Sequence, residues 1–267
     1  MISGSVWYDL AASGKQFLVF GAIIVTLLGL CIGSFINVVI YRLPRNESIV
    51  TGRSHCTLCG KEIAWYDLFP LVSYLLLGGR CRNCGAPISW RYPLVESMTA
   101  GLFLALYLHF GPTLTMVKYL FLAALLVAVS FIDLERFIIP NSLVLSGVIF
   151  GVGIIFFVHD ISFWSALLGA ASCSGLLLLV SLISRGGMGL GDIKLALVTG
   201  LFLGWPLGLA GLMIGVCLGG LLGIILLASK IKGRKDPVPF GPFIALGTLI
   251  AVPWGAQILH LVLGIAL

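Results

Sequence analysis

Charge is scarce in this chain. Asp, Glu, Lys and Arg together make up 10% of its 267 residues, against roughly 25% in an ordinary soluble domain. That is too little to coat a soluble surface, so a soluble enzyme, a disordered chain and a disulfide-rich secreted domain are excluded. Acids are the scarcest, 10 against 16 Lys and Arg. No internal repeat of fixed period is visible, and no glycine-rich nucleotide loop follows a strand-like segment. The first apolar run lacks a small-residue cleavage site and is followed directly by Tyr41-Arg42-Leu43-Pro44, so it is not expected to be a cleavable signal. What is abundant is apolar surface, 60% of the residues, and glycine, 34 of them; small residues let helices approach closely in lipid. The composition predicts an all-α polytopic membrane protein.

A bilayer core is crossed by about 20 mostly apolar residues in helix, because every backbone N–H and C=O must be paired internally. Runs of this kind cover 17–40, 94–110, 114–132, 138–158, 163–183, 191–204, 207–228 and 241–266. That predicts about eight spans; Gly204-Trp205-Pro206 interrupts the sixth, which leaves a count of seven open. With the N-terminus outside, Arg42, Arg45, Arg53, Lys61, Arg80, Arg82, Arg91, Arg136, Arg185, Lys194, Lys230, Lys232, Arg234 and Lys235 fall inside and only Lys15 and Lys118 outside. Positive charge collects on cytoplasmic loops, so the chain is expected N-out and C-out, with the one long polar segment, 41–92, in the cytoplasm.

Four of the seven cysteines stand in that segment: Cys56 and Cys59, a 21-residue spacer, then Cys81 and Cys84. Each C-x2-C turn places two thiolates on one side of a metal, and two such turns complete a tetrahedral structural zinc site. The glycines that follow, Gly60 and Gly85, suit the tight turn. The alternative is two disulfides, disfavoured in a reducing cytoplasm. His55 is read as a bystander, and Cys31, Cys173 and Cys217 as small hydrophobes. The net charge of +6 raises the question of nucleic acid. The spacer from Trp65 to Leu77, however, is aromatic and aliphatic, so it is expected to lie on the membrane surface or under the spans; no nucleic-acid partner is expected.

Among the acids, Asp9, Glu47, Glu62, Asp67, Asp160 and Asp236 fall in loops or termini, leaving Glu96, Asp133, Glu135 and Asp192 at span edges. A carboxylate near hydrocarbon is a functional candidate by default. Glu135 beside Arg136 reads as a solvated pair. Asp133 ends an apolar run and Asp192 follows Gly186-Gly187-Met188-Gly189-Leu190-Gly191 at the start of another, which puts both at the same depth on the cytoplasmic face. Two carboxylates brought together share a proton; the ionised one activates water and the protonated one polarises a carbonyl. Spacing alone equally allows each Asp to cap a helix or to offset Arg136 and Lys194.

The runs Gly33–Pro44, the four-cysteine loop, Arg91-Tyr92-Pro93-Leu94-Val95-Glu96, Phe131-Ile132-Asp133-Leu134, the glycine run ending at Asp192, and Pro239-Phe240-Gly241-Pro242-Phe243-Ile244-Ala245 resemble, in order and spacing from about residue 29 to 247, the type IV prepilin peptidases. The resemblance implies a bacterial inner-membrane aspartic peptidase. Such an enzyme cuts the leader from type IV prepilins or pseudopilins after a Gly, usually before Phe, then methylates the new N-terminal amine with S-adenosylmethionine. It places Asp133 and Asp192 at the family's catalytic positions and Cys56, Cys59, Cys81 and Cys84 at its zinc site. Glu96, at a span edge facing the loop, is a candidate for contacting the substrate amine, and pairing with Arg91 is an equally open role for it. The implied division is 1–93, first span and zinc loop, for methyl transfer, and 94–267 for the peptidase. One departure is Asn141 after Ile139-Pro140, where many members have Asp. A proton- or cation-coupled transporter and a non-catalytic zinc-loop scaffold are the competing classes, but transporters commonly carry repeats and midplane broken helices.

Overall fold

The computed structural model describes residues 4–184, 188–230, 233 and 236–264, with side chains between residues 16 and 261. Arg185, Gly186, Gly187, Lys232, Arg234 and Lys235, and the last residues of the final apolar run, lie outside the described residues, as does the side chain of Lys15. Within them each expected apolar run is helical. The helices are α1 (Gly4–Arg42), a short α2 (Val72–Leu76), α3 (Arg91–Phe110), α4 (Leu114–Arg136), α5 (Asn141–Ile155), α6 (Phe163–Ile183), α7 (Leu190–Leu203), α8 (Leu207–Ala228) and α9 (Gly241–Leu263). Among the described residues six stretches are long and apolar enough to cross a membrane: 16–45, 91–110, 114–136, 163–183, 207–228 and 241–261. The chain is a multi-pass membrane protein. Helices α5 and α7, of 15 and 14 residues, rise only about 21–23 Å at 1.5 Å per residue, short of a core about 30 Å thick. Nearly all of α7 from Leu195 onward is buried, so its neighbours rather than lipid enclose it.

The contacts divide the chain into two compact units, Met1–Val39 with Ser48–Met116, and Ile40–Glu47 with Val117–Leu267. In the first unit α1 and α3 pack antiparallel. Gly29 lies opposite Ala100, Gly33 opposite Glu96 and Asn37 opposite Tyr92. A Cβ on Gly29 or Gly33 would come within 2.7 Å of the facing Cα, so the glycine-x3-glycine spacing is what allows the backbones to approach.

In the second unit α7 contacts α5, α6, α8 and α9, and α4 buries Leu122, Ala123, Leu126, Val127, Val129 and Ile132. Phe121 and Phe150 stack with centroids 3.9 Å apart, and Phe202 joins the stack. Close glycine contacts draw α6 to α7 and α8 to α9, Gly169 against Gly200 and Gly211 against Gly247. One loop acid proves structural. Asp160 accepts two bonds, at 3.0 and 2.8 Å, from the ammonium of Lys118, whose side chain is 1% exposed. A buried charge needs its partner, so Asp160 is required where the sequence reading asked nothing of it.

Candidate functional site

Asp133 sits on the last turn of α4, where Phe137, at φ +57, closes the helix by donating its N–H to the Asp133 carbonyl at 2.8 Å. Its carboxylate is buried, and Oδ2 accepts the backbone N–H of Gly241 at 2.9 Å. Gly241 is the first residue of α9 and is followed by Pro242, which has no N–H, so the Gly241 donor is one of the free amides that every helix start leaves over. A Cβ on Gly241 would lie 2.8 Å from Oδ2.

Asp192 is half-buried in the first turn of α7. The residue flanking the helix start is Gly189, so Asp192 is not itself the cap; its carboxylate accepts the Gly189 N–H. Gly191 packs on Ile139, where a Cβ would come within 3.0 Å. Lys194 donates to Asn141 Oδ1 at 2.9 Å and so is engaged away from Asp192. The same bond gives Asn141 a role, tying the start of α5 to the start of α7. Asp133 lies within electrostatic reach of Asp192, so the end of α4 and the start of α7 approach one another. Gly241 is the participant that sequence reasoning missed. Its motif was visible, but nothing in it points to a partner 108 residues away.

The four loop cysteines converge. Their Sγ atoms all lie within 4.8 Å of one another, with Cys56 and Cys84 3.9 Å apart. Four thiolates about 2.3 Å from a zinc stand about 3.8 Å from each other in a tetrahedron, whereas a disulfide needs about 2.05 Å; all four cysteines are free thiols. The two halves are built alike. Cys56 N–H bonds Lys61 C=O and Gly60 N–H bonds Cys56 C=O; Cys81 pairs with Ala86 and Gly85 with Cys81 in the same way, at 2.8–2.9 Å. Gly60 and Gly85 adopt φ +70 and +69, which glycine alone adopts without cost.

The N–H groups of Cys59 and Leu58 draw the Cys56 thiol down to about 6. At Cys84 the Ala86 N–H favours the thiolate, but desolvation and the neighbouring sulfurs outweigh it and push the thiol up to about 11. His55 stays outside the cluster, its ring facing the Arg53 carbonyl. Around the centre, Asp67 accepts both the Nε and an Nη of Arg82, at 2.8 and 2.6 Å, and this guanidinium holds its carboxyl below the usual range. Trp65, Leu75 and Leu76 of the spacer are exposed.

Glu96 is 6% exposed. It accepts the Leu71 N–H at 2.9 Å and the Ser34 hydroxyl.

Comparison with known proteins matches the bacterial peptidase A24 N-terminal domain over residues 27–110 and the type IV leader peptidase family over 120–224. These are membrane-embedded leader-processing enzymes as a class, and the chain belongs to the type IV leader peptidase family. Among its relatives are the prepilin leader peptidase/N-methyltransferases of Myxococcus xanthus, 41% identical over 81% of this chain, of Pseudomonas aeruginosa, 36% over 87%, and of Bacillus subtilis, 33% over 91%. The chain spans 65% of the length of the first and 90% and 98% of the other two. No solved structure matches.

Proposed function

We infer that the chain removes the leader peptide from type IV prepilins or pseudopilins at a Gly-Phe-type junction by aspartic chemistry at Asp133 and Asp192, and then methylates the new N-terminal amine. The observation that supports this reading is that two carboxylates, at the end of α4 and the start of α7, lie within electrostatic reach of each other in a chain with only 10 acids. The ionised member takes a proton from a water, whose oxygen then attacks the peptide carbonyl. The protonated member donates to the carbonyl oxygen, and collapse of the tetrahedral adduct passes a proton to the leaving nitrogen. The Gly241 N–H fixes one oxygen of Asp133, which leaves the other free to face water.

S-adenosylmethionine, when bound, supplies an electrophilic methyl group; the residues that hold it are not among those assigned, and Glu96 is the candidate contact for the amine. Cys56, Cys59, Cys81 and Cys84 hold a structural zinc. With four thiolates the coordination is closed, so the metal holds the loop together and takes no part in the chemistry. The methyl-transfer part is assigned to 1–93 and the peptidase to 94–267. The positive-inside bias supports a bacterial inner-membrane protein with both termini outside and the zinc loop cytoplasmic.

The test is leader removal by Asp133→Asn and Asp192→Asn in membranes. Each keeps the shape but loses the ionisable group, so cleavage should fall by more than about a hundredfold. Substantial cleavage by either variant sinks the assignment.

A further inference from the structure

Glu96 is a buried carboxylate with no cation in its bonding: its partners, the Leu71 amide and the Ser34 hydroxyl, are both neutral. Leaving a charge in such a place costs several kcal/mol unless an opposite charge arrives. A second anomaly lies beside it. Asn37 is 2% exposed, and its amide nitrogen donates to the carbonyls of Gly33 and Tyr92 at 3.3 and 3.1 Å. Those two acceptors fix the orientation of the amide. Its oxygen, Oδ1, is then buried with no donor, and an orphaned buried acceptor is destabilising.

The two anomalies share one interface. Gly33 faces Glu96 and Asn37 faces Tyr92 across the α1–α3 contact, so Asn37 and Glu96 stand one helical turn apart along it, about 5.4 Å of rise. Asn37 Oδ1 lacks any donor, and Glu96, though it accepts the Leu71 N–H, lacks a positive charge. Leu71, which covers Glu96 through its backbone amide, is held at φ 58 and ψ −48, a sparsely populated region that strains a non-glycine residue. The covering contact is thus made by a backbone that gains by relaxing when another donor replaces it.

The geometry points to a primary-ammonium site formed by the Glu96 carboxylate and Asn37 Oδ1, with the Ser34 hydroxyl at its edge, that receives the free α-amine of the processed pilin. An ammonium brings three donors and one charge, which matches the vacant acceptors. The bound pair is ionic, and one proton passes from the ammonium to Glu96 only as the methyl group is transferred. The amine then keeps one N–H on Asn37 Oδ1, and its lone pair is free for a sulfonium methyl donor. The identity of the amine rests on the pilin-processing reading; the cation chemistry of the site does not.

The test is equilibrium binding of two peptides to the purified full chain in lipid nanodiscs. Both carry a mature pilin N-terminus beginning with Phe, one with a free amine and one N-acetylated. The wild type should prefer the free amine by about tenfold, as a charge-assisted bond to a buried acceptor implies. Glu96→Gln should bring that ratio near one while still binding the acetylated peptide, which shows that the variant is folded. Should Glu96→Gln fail to fold, Asn37→Leu decides: similar in shape but without Oδ1, it lowers the preference if Oδ1 faces the ammonium and leaves it at the wild-type value if not. Equal binding of both peptides by the wild type, or an unchanged ratio in Glu96→Gln, overturns the ammonium site alone. Binding of neither peptide by the wild type overturns the pilin reading with it.

Discussion

A backbone N–H cannot be deleted by changing a side chain, so the part played by Gly241 is tested by adding an atom. Gly241 is the first residue of α9 and shows no left-handed φ, and alanine is the better helix former by about 1 kcal/mol. The Gly241→Ala backbone therefore folds without strain, but its Cβ lands 2.8 Å from Asp133 Oδ2 and the carboxylate must swing away. Misplacement of a catalytic group by about 1 Å costs on the order of a hundredfold in rate. Gly241→Ala should lower the peptidase kcat by at least about tenfold while KM and the melting temperature stay near wild type. A wild-type kcat would show that the bond to Asp133 is incidental. The aspartates themselves were legible in the sequence because acids are so few and these two stand at apolar edges. Gly241 was not, because a partner's amide leaves no trace in residue type, and Glu96 was visible as an acid while Asn37 looked like any small polar residue inside an apolar run.

Among the elements, the zinc loop shows how local chemistry reaches outward. Its two cysteine turns are near copies, legible from spacing because each needs two thiols and a glycine at fixed offsets. The Asp67–Arg82 pair is not legible in that way, since it joins a 3₁₀ turn, Trp65–Leu68, to the second cysteine turn. Arg82 lowers the carboxyl of Asp67 in the folded loop relative to an unfolded value near 3.9. The stability this pair contributes is fully present above that value and is lost as the pH falls through the lowered folded one. Hydrogen exchange at residues 65–68, corrected for its intrinsic pH dependence, should show the wild type better protected than Asp67→Asn at pH 7. The two should converge in acid. Equal protection at neutral pH would mean that the pair does not hold the turn. The helices were read from hydropathy because lipid demands it, and α7 is as short as its 191–204 run, 14 residues, because its neighbours cover it. The buried Lys118 escaped for a related reason. A lysine near a span end looks solvated unless the distant loop that brings Asp160 is known.

At the scale of the whole molecule, two reactions on one substrate impose an order on each other. Before cleavage the nitrogen to be methylated belongs to a peptide bond, where resonance ties up its lone pair. Cleavage turns it into an α-amine with a pKa near 8, of which roughly a tenth is neutral at pH 7. Only then can it attack a methyl group. A variant lacking Asp192 should therefore leave pilin uncut and unmethylated. A variant damaged in the loop that carries Cys56 and Cys81 should release cut pilin with a free amine, since loss of the structural metal loosens that segment without touching the aspartate pair. Mass spectrometry of the pilin N-terminus separates uncut, cut, and cut-and-methylated products in one measurement. Methylated pilin from the Asp192 variant would remove that residue from the peptidase. If loop variants never yield cut but unmethylated pilin, the loop supports both reactions, and the division of labour between residues 1–93 and 94–267 fails.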